Sequence, residues 1–219
     1  MKQTTALPLL MAALASAVPD VIVKDLPNTC QTFPGAHQVG QNGCEANFEI
    51  YASSTGNAAV DGKHATHAPV AADLPAWGRI AIVSDQTVAW PQFKYTELAV
   101  SGIQGLATYA QDPATASTFS WEPIKLDADV DNQELLYRYT VAGYPLAPFA
   151  LYDAETGEDQ IPGVFLGVNG QVTWAYSVEK DSHGRDQWAV RLLANETAPL
   201  RGDEFEGFLR AGNMFENTE

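Results

Sequence analysis

The chain has 219 residues, with 27 acidic against 12 basic side chains and a formal net charge of −15. Such a surface cannot displace counterions from phosphates, which argues against a nucleic-acid partner, and an anionic membrane face repels it. The acidity is spread along the chain, which is the pattern of a self-repelling surface and not of an acidic tail.

Met1-Lys2 gives a short positive start, an uncharged apolar run extends from Thr5 to Val18, and Ala15-Ser16-Ala17 offers small residues at the two positions a signal peptidase reads. Residues 1–17 are therefore predicted to be a secretory signal, with the mature chain starting near Val18. Pro19-Asp20 interrupts the run before the roughly 20 apolar residues a membrane span needs. No later stretch is long and apolar enough to insert in a bilayer, and the C-terminal residues are too polar for a lipid-anchor signal. Removing Lys2 takes the net charge from −15 to −16.

The two cysteines, Cys30 and Cys44, pair most simply as a disulfide in an oxidising compartment. The bridge stabilises the fold by about 3 kcal/mol on the chain-entropy estimate. A single staple leaves most of the stability to a hydrophobic core. The expected unit is one β-rich globular domain over residues 18–219.

Beyond Cys44 the chain alternates short runs of β-branched and aromatic residues with Gly, Pro, Asn and Asp punctuation. Strands are predicted at Phe48–Ala52, Arg79–Ser84, Thr87–Trp90, Leu135–Val141, Phe149–Tyr152, Val164–Val168, Gln171–Val178 and Gln187–Leu193. Asn169-Gly170 predicts a type I′ hairpin between two of them, since both central residues need positive φ. Ser84-Asp85 holds the matching place between the Arg79 and Thr87 runs. Two short helices are also predicted. One covers Leu98–Ala110; the other starts at Asp203 as N-cap, with Glu206 three residues on and Gly212 as stop.

Within this order lies a repeat. Phe48-Glu-Ile-Tyr-Ala-Ser-Ser-Thr-Gly56 and Phe149-Ala-Leu-Tyr-Asp-Ala-Glu-Thr-Gly157 both read F-x-[IL]-Y-x-x-x-T-G. Gly78 to Gln86 and Gly163 to Gln171 share their spacing, and a Trp comes soon after each, Trp90 and Trp174. Two pseudo-repeats, about 46–100 and 147–195, are expected to build an antiparallel β-sandwich or barrel. The first copy carries an insertion, Asn57–Trp77.

That insertion contains His64 and His67, a spacing compatible with zinc or copper, but no further His or Cys cluster completes a site and a solvated polar loop is expected. Asp127, Asp129 and Asp131 alternate on a tight turn whose oxygen ligands suit Ca²⁺. The turn departs from an EF-hand loop, with Asn132 in place of glycine and Arg138 in place of the closing glutamate. Of the five tryptophans, Trp90 and Trp174 are assigned to the core by their repeat positions. Trp121 and Trp188, flanked by polar residues, are predicted to be surface platforms for the apolar faces of sugar rings.

Asn195-Glu196-Thr197 is an N-glycosylation acceptor, placed by its type in a surface turn. Arg201-Gly202-Asp203 spells an adhesion tripeptide, although Asp203 already has the cap role. No nucleophile elbow, Ser–His–Asp set, H-E-x-x-H helix or phosphate-cradling glycine loop is found. Paired carboxylates for glycoside hydrolysis need only spatial proximity, and with 27 acidic residues the sequence singles out no pair.

A signal, an early cysteine and F-x-[IL]-Y-x-x-x-T-G with a hairpin after it together resemble small secreted surface proteins of filamentous fungi, the phialide-type cell-wall proteins in particular. The resemblance rests on Phe48–Gly56 with Gly78–Gln86 and on Phe149–Gly157 with Gly163–Gln171, less than a quarter of the chain. The cysteines are fewer than in that group. It implies a wall-associated, non-catalytic protein and assigns no functional residue. The expectation is a secreted cell-surface or cell-wall glycoprotein that binds a wall polysaccharide or glycoprotein without a cofactor other than Ca²⁺. Two other readings stand beside it: a small extracellular hydrolase using two carboxylates, and a secreted effector that binds a host protein.

Overall fold

The computed structural model describes residues 18–39, 43–69, 78–83, 93–96, 105–111, 119–128, 134–137, 143–181, 184–194 and 197–213. In chain order the strands are β1 (Val21–Asp25), β2 (Ala36–Val39), β3 (Gly43–Ser53), β4 (Ala65–Pro69), β5 (Gly78–Val83), β6 (Phe93–Thr96), β7 (Gly105–Gln111) and β8 (Phe119–Asp127). They continue with β9 (Leu135–Tyr137), β10 (Gly143–Pro145), β11 (Ala147–Asp153), β12 (Gln160–Gly167), β13 (Thr173–Lys180), β14 (Asp186–Leu192) and β15 (Phe205–Asn213). A single 3₁₀ turn, Cys30–Thr32, is the helical element among the described residues.

Every strand pairing is antiparallel. The hydrogen-bonded path runs β1-β11-β12-β15-β13-β14-β5-β9-β8-β7-β6-β3-β2 and bends back on itself where β15 also pairs β3. Some links are short: β5–β9 and β12–β15 each rest on two residue pairs. The result is a sandwich whose layers share strands at their corners, not a regular closed barrel.

Strict alternation on β3 shows why the layers close. Cys44, Ala46, Phe48, Ile50 and Ala52 are buried, while Glu45, Asn47, Glu49, Tyr51 and Ser53 between them are partly exposed. The inward set joins Ile80 and Ile82 of β5, Ile124 and Leu126 of β8, Trp174 and Tyr176 of β13 and Leu209 of β15 in one large core. Burial of this apolar area, at about 25 cal/mol per Å², is the main favourable term. A second, smaller cluster holds Phe149, Leu151, Phe165, Val172 and Phe208, with Val21 and Val23 of β1 packed on it. This cluster thus covers the outer face of β15 at Phe208.

Where they fall on described residues, both predicted helices are strands; residues 98–104 lie outside the described residues. Residues 105–110 of the Leu98–Ala110 segment lie in β7, and the run after Asp203 forms β15. On β15 the apolar residues Phe208 and Leu209 serve opposite faces, each meeting a different core. A helix would have presented them to one side. Asp203 therefore caps nothing: it sits in a turn closed by Glu204 N–H donating to Arg201 O at 2.9 Å.

The Asn169-Gly170 turn is present, with φ of 52° and 80° and reciprocal bonds between Val168 and Gln171 at 3.0 and 2.9 Å. The hairpin it predicts is not. β12 and β13 pair the same edge of β15, Phe165 opposite Arg210 and Thr173 opposite Phe208. The chain leaves that edge for the turn and then rejoins it in the same direction. The partner that long-range pairing supplies, β15, displaces the local hairpin partner. Ser84-Asp85 and the Thr87–Trp90 run lie outside the described residues.

Candidate functional site

Cys30 and Cys44 form the predicted disulfide, with Cα atoms 5.9 Å apart and both residues buried in the large core. It ties the 3₁₀ turn to the start of β3. A disulfide is compatible with an extracellular location. No helix among the described residues is long and apolar enough to cross a membrane.

The two tryptophans proposed as sugar platforms part company. Trp188 is 6 % exposed and belongs to the large core, which corrects its assignment to the surface. Its polar neighbour Gln187 lies on the other face of β14, so flanking polarity reported the alternation of a strand, not exposure. Trp174 is fully buried as expected, its indole N–H donating to Leu166 O at 2.9 Å. Trp121 is partly exposed on the outer face of β8.

There it meets a residue the sequence did not single out. Tyr109 of β7 pairs directly with Trp121 in register. The two rings are 5.2 Å apart between centroids and tilted by 50°. Tyr109 is 40 % exposed, so the pair forms an open aromatic ledge and not part of the core. Assignment of Leu98–Ala110 to a helix hid it. The signal was present as a strand alternation, with Leu106 and Thr108 buried and Tyr109 turned outward.

Register extends this face. Phe48, Phe93, Thr108 and Glu122 form one transverse row across β3, β6, β7 and β8. Glu49, Tyr109 and Trp121 each lie one residue beyond that row on the same side, and alternation turns them all outward. Further along β3, Tyr51 stands opposite Arg210 of β15 and forms an isolated bridge with His64. Glu49, Tyr51, His64 and Arg210 therefore gather on the face that carries the aromatic ledge. Glu49 Oε2 is 3.0 Å from His64 Nδ1. Burial raises the Glu49 carboxyl above its usual range, and burial together with the Lys63 charge lowers His64.

His64 and His67 do not form a metal pair. His67 pairs with Ile80 and points inward, whereas His64 is on the outer face. His67 Nε2 lies 2.9 Å from Thr108 Oγ1, and burial lowers its pKa to about 4. This corrects the solvated loop expected for these residues. Asp127 ends β8, partly buried, with its N–H donating to Glu134 O at 2.8 Å. Asp129 and Asp131 lie outside the described residues, as does Asn195. Among the described residues, no group of three His, Cys, Asp or Glu is arranged to hold a metal ion.

A cleft of about 390 Å³ opens over the small residues Ala175, Ser177 and Ala189, walled by Glu134, Arg191 and the Arg201-Gly202-Asp203 turn. Two of its carboxylates, Glu134 and Glu204, pair with arginines. Glu204 accepts from Arg191 at 2.8 and 2.6 Å and from Arg201 N–H at 2.7 Å. Burial pushes its carboxyl up, but these bonds and both charges hold it below the usual range. Glu134 and Glu179 share Arg79, and Gln187 also donates to Glu179 at 2.6 Å. A carboxylate held below its usual range, as Glu204 is, is poorly suited to act as a general acid.

Comparison with protein-family models and with curated proteins finds no match to this chain.

Proposed function

We propose that the protein is a secreted, non-catalytic cell-surface or cell-wall component that binds glycan through the Tyr109–Trp121 ledge. The observation that carries this reading is an exposed, tilted aromatic pair on an open sheet face. Such rings offer apolar area to the faces of a pyranose while leaving its hydroxyls to water and neighbouring polar groups. Lys125 and Asp127 share the outward side of β8 with Trp121 and supply polar groups at one end of the ledge. The disulfide supports an oxidising compartment, and Asn195 is a carbohydrate attachment site in this reading.

The test is binding of the purified mature protein to an array of glycans and wall polysaccharides, with calcium and with chelator. Saturable binding that Trp121→Ala or Tyr109→Ala weakens at least ten-fold is the expected result. Loss with chelator assigns Asp127, Asp129 and Asp131 to a Ca²⁺ site. Binding that survives both ring substitutions unchanged removes the ledge from the function.

A further inference from the structure

Arg210 is the anomaly on this face. In a chain with 27 acidic residues it makes no ion pair among the described residues, and its buried Nε has no hydrogen-bond partner. Its guanidinium carbon lies 5.5 Å from the centre of the Tyr51 ring. The other side rests on the backbone of Gly163, where φ is +126° and an added Cβ would stand 2.2 Å from Arg210 Nε. Ring and glycine backbone border the guanidinium on two sides and limit where it can move. Arg210 Nε is closed off against Gly163, but the terminal guanidinium nitrogens are not buried and make no hydrogen bond among the described residues. An arginine positioned this way can take an acceptor supplied from outside.

The carboxylate of the cluster, Glu49, is turned to His64 and leaves Arg210 unneutralised. Strand spacing places Arg210 on the order of 15 Å from Tyr109, three strands across and two residues along the same face. A ligand of a few linked sugar rings spans that distance.

We infer that Arg210, positioned by Tyr51 and Gly163, is a subsite for one anionic oxygen group, a carboxylate or sulfate, on a saccharide whose neutral part stacks on the Tyr109–Trp121 ledge. This rests on the glycan reading above and narrows it to acidic glycans. Planar, bidentate recognition of an oxyanion is what a preorganised guanidinium provides. It selects a single acidic group and not a polyanion, because the protein's own net charge opposes a densely charged chain.

The experiment compares three probes by calorimetry at physiological salt, where the Debye length is about 8 Å. They are a neutral oligosaccharide carrying one uronate, its carboxyl-reduced neutral counterpart, and the same neutral oligosaccharide carrying one sulfate. The uronate or the sulfated probe should bind roughly ten- to hundred-fold more tightly than the reduced one, as for a charge-assisted bond. Which of the two gains identifies the anion. Arg210→Gln should abolish that preference while leaving the affinity for the neutral probe, and Arg210→Lys should retain part of it. An unchanged melting temperature shows that each variant is folded.

Trp121→Ala should weaken all three probes alike and keep their ratio. If Trp121→Ala changes nothing but the Arg210 preference stands, the ledge fails and the subsite survives. Equal binding of charged and neutral probes, a preference that persists in folded Arg210→Gln, or no binding of any acidic probe each overturns the inference.

Discussion

β3 and β11 carry the same nine-residue pattern and treat it alike locally. In each strand the Phe and the Ile or Leu two residues later are buried, the Tyr turns outward, and the closing Gly takes positive φ (Gly56 at 65°, Gly157 at 69°). Beyond the turn the two copies diverge. After Gly157 the chain returns as β12 and pairs β11, Tyr152 opposite Gln160. After Gly56 it returns only to bond Ala52 through Gly62 and Lys63, and the neighbouring edge of β3 goes to β15, which comes from the far end of the chain.

The difference propagates to the outward tyrosines. Tyr152 sits under Lys24, whose Nζ is 3.7 Å from its ring centre, at the edge layer. Tyr51 supports Arg210 in the middle of the large sheet. Equivalent sequence thus gives a capping strand in one place and the floor of a candidate site in the other.

The two copies should differ most in their cores. Phe48 stacks on Phe33 at 5.2 Å inside the large core, whereas Phe149 belongs to the five-residue cluster. Phe48→Ala is expected to cost about 5 kcal/mol and Phe149→Ala about 3 kcal/mol, read from denaturant unfolding. Equal losses would mean that the two strands are energetically interchangeable after all.

Next in size are two features confined to the side of the first copy. Cys30→Ser with Cys44→Ser should lower stability by about 3 kcal/mol. His67 contributes a pH dependence of similar size. Its folded pKa of about 4 lies below the unfolded 6.5, so its stability contribution is complete above pH 6.5. As pH falls from 6.5 towards 4 the unfolded state takes up the proton first, and up to about 3 kcal/mol is lost. Glu49, raised by burial, acts in the opposite sense and returns stability as pH falls. Urea unfolding between pH 7 and pH 4 should therefore show a decline that His67→Gln reduces.

Smaller effects are expected at the outward face, where the two tyrosines part. Trp121→Ala should weaken glycan binding about ten-fold, the scale of one aromatic contact of roughly 1.4 kcal/mol, while Tyr152→Ala leaves binding unchanged. Binding lost equally in both variants would locate the ligand on the other layer. Smallest is the turn at the second copy. Gly170→Ala places a side chain at φ +80° and should cost about 1 kcal/mol, with glycan binding intact.

How far the sequence reached depended on the range of the interaction. The disulfide, the buried Trp174 and the Asn169-Gly170 turn were all legible because cysteine chemistry, repeat position and positive φ are properties of a few residues. The strand character of the chain was legible too, since alternation is set by the pleat. The failures came where a distant segment made the choice. Trp188 and Trp121 have similar polar neighbours, yet opposite faces of their strands meet the core, and only the packing decides which face is inside. β15 shows the same thing on a larger scale: its Phe205-to-Leu209 run fits a helix when read alone. It becomes a strand because two cores, β3 on one edge and β12 with β13 on the other claim it together.

The candidate site belongs to this second kind. Tyr109, Trp121, Glu49, Tyr51, His64 and Arg210 come from strands spread across about 160 residues, and no local pattern links them. An acidic, disulfide-stapled β chain can be read from adjacent residues, because composition and short-range stereochemistry are written there. Which aromatic rings face water, and which arginine is left without a carboxylate, emerges only in three dimensions, because burial and pairing depend on which strands become neighbours.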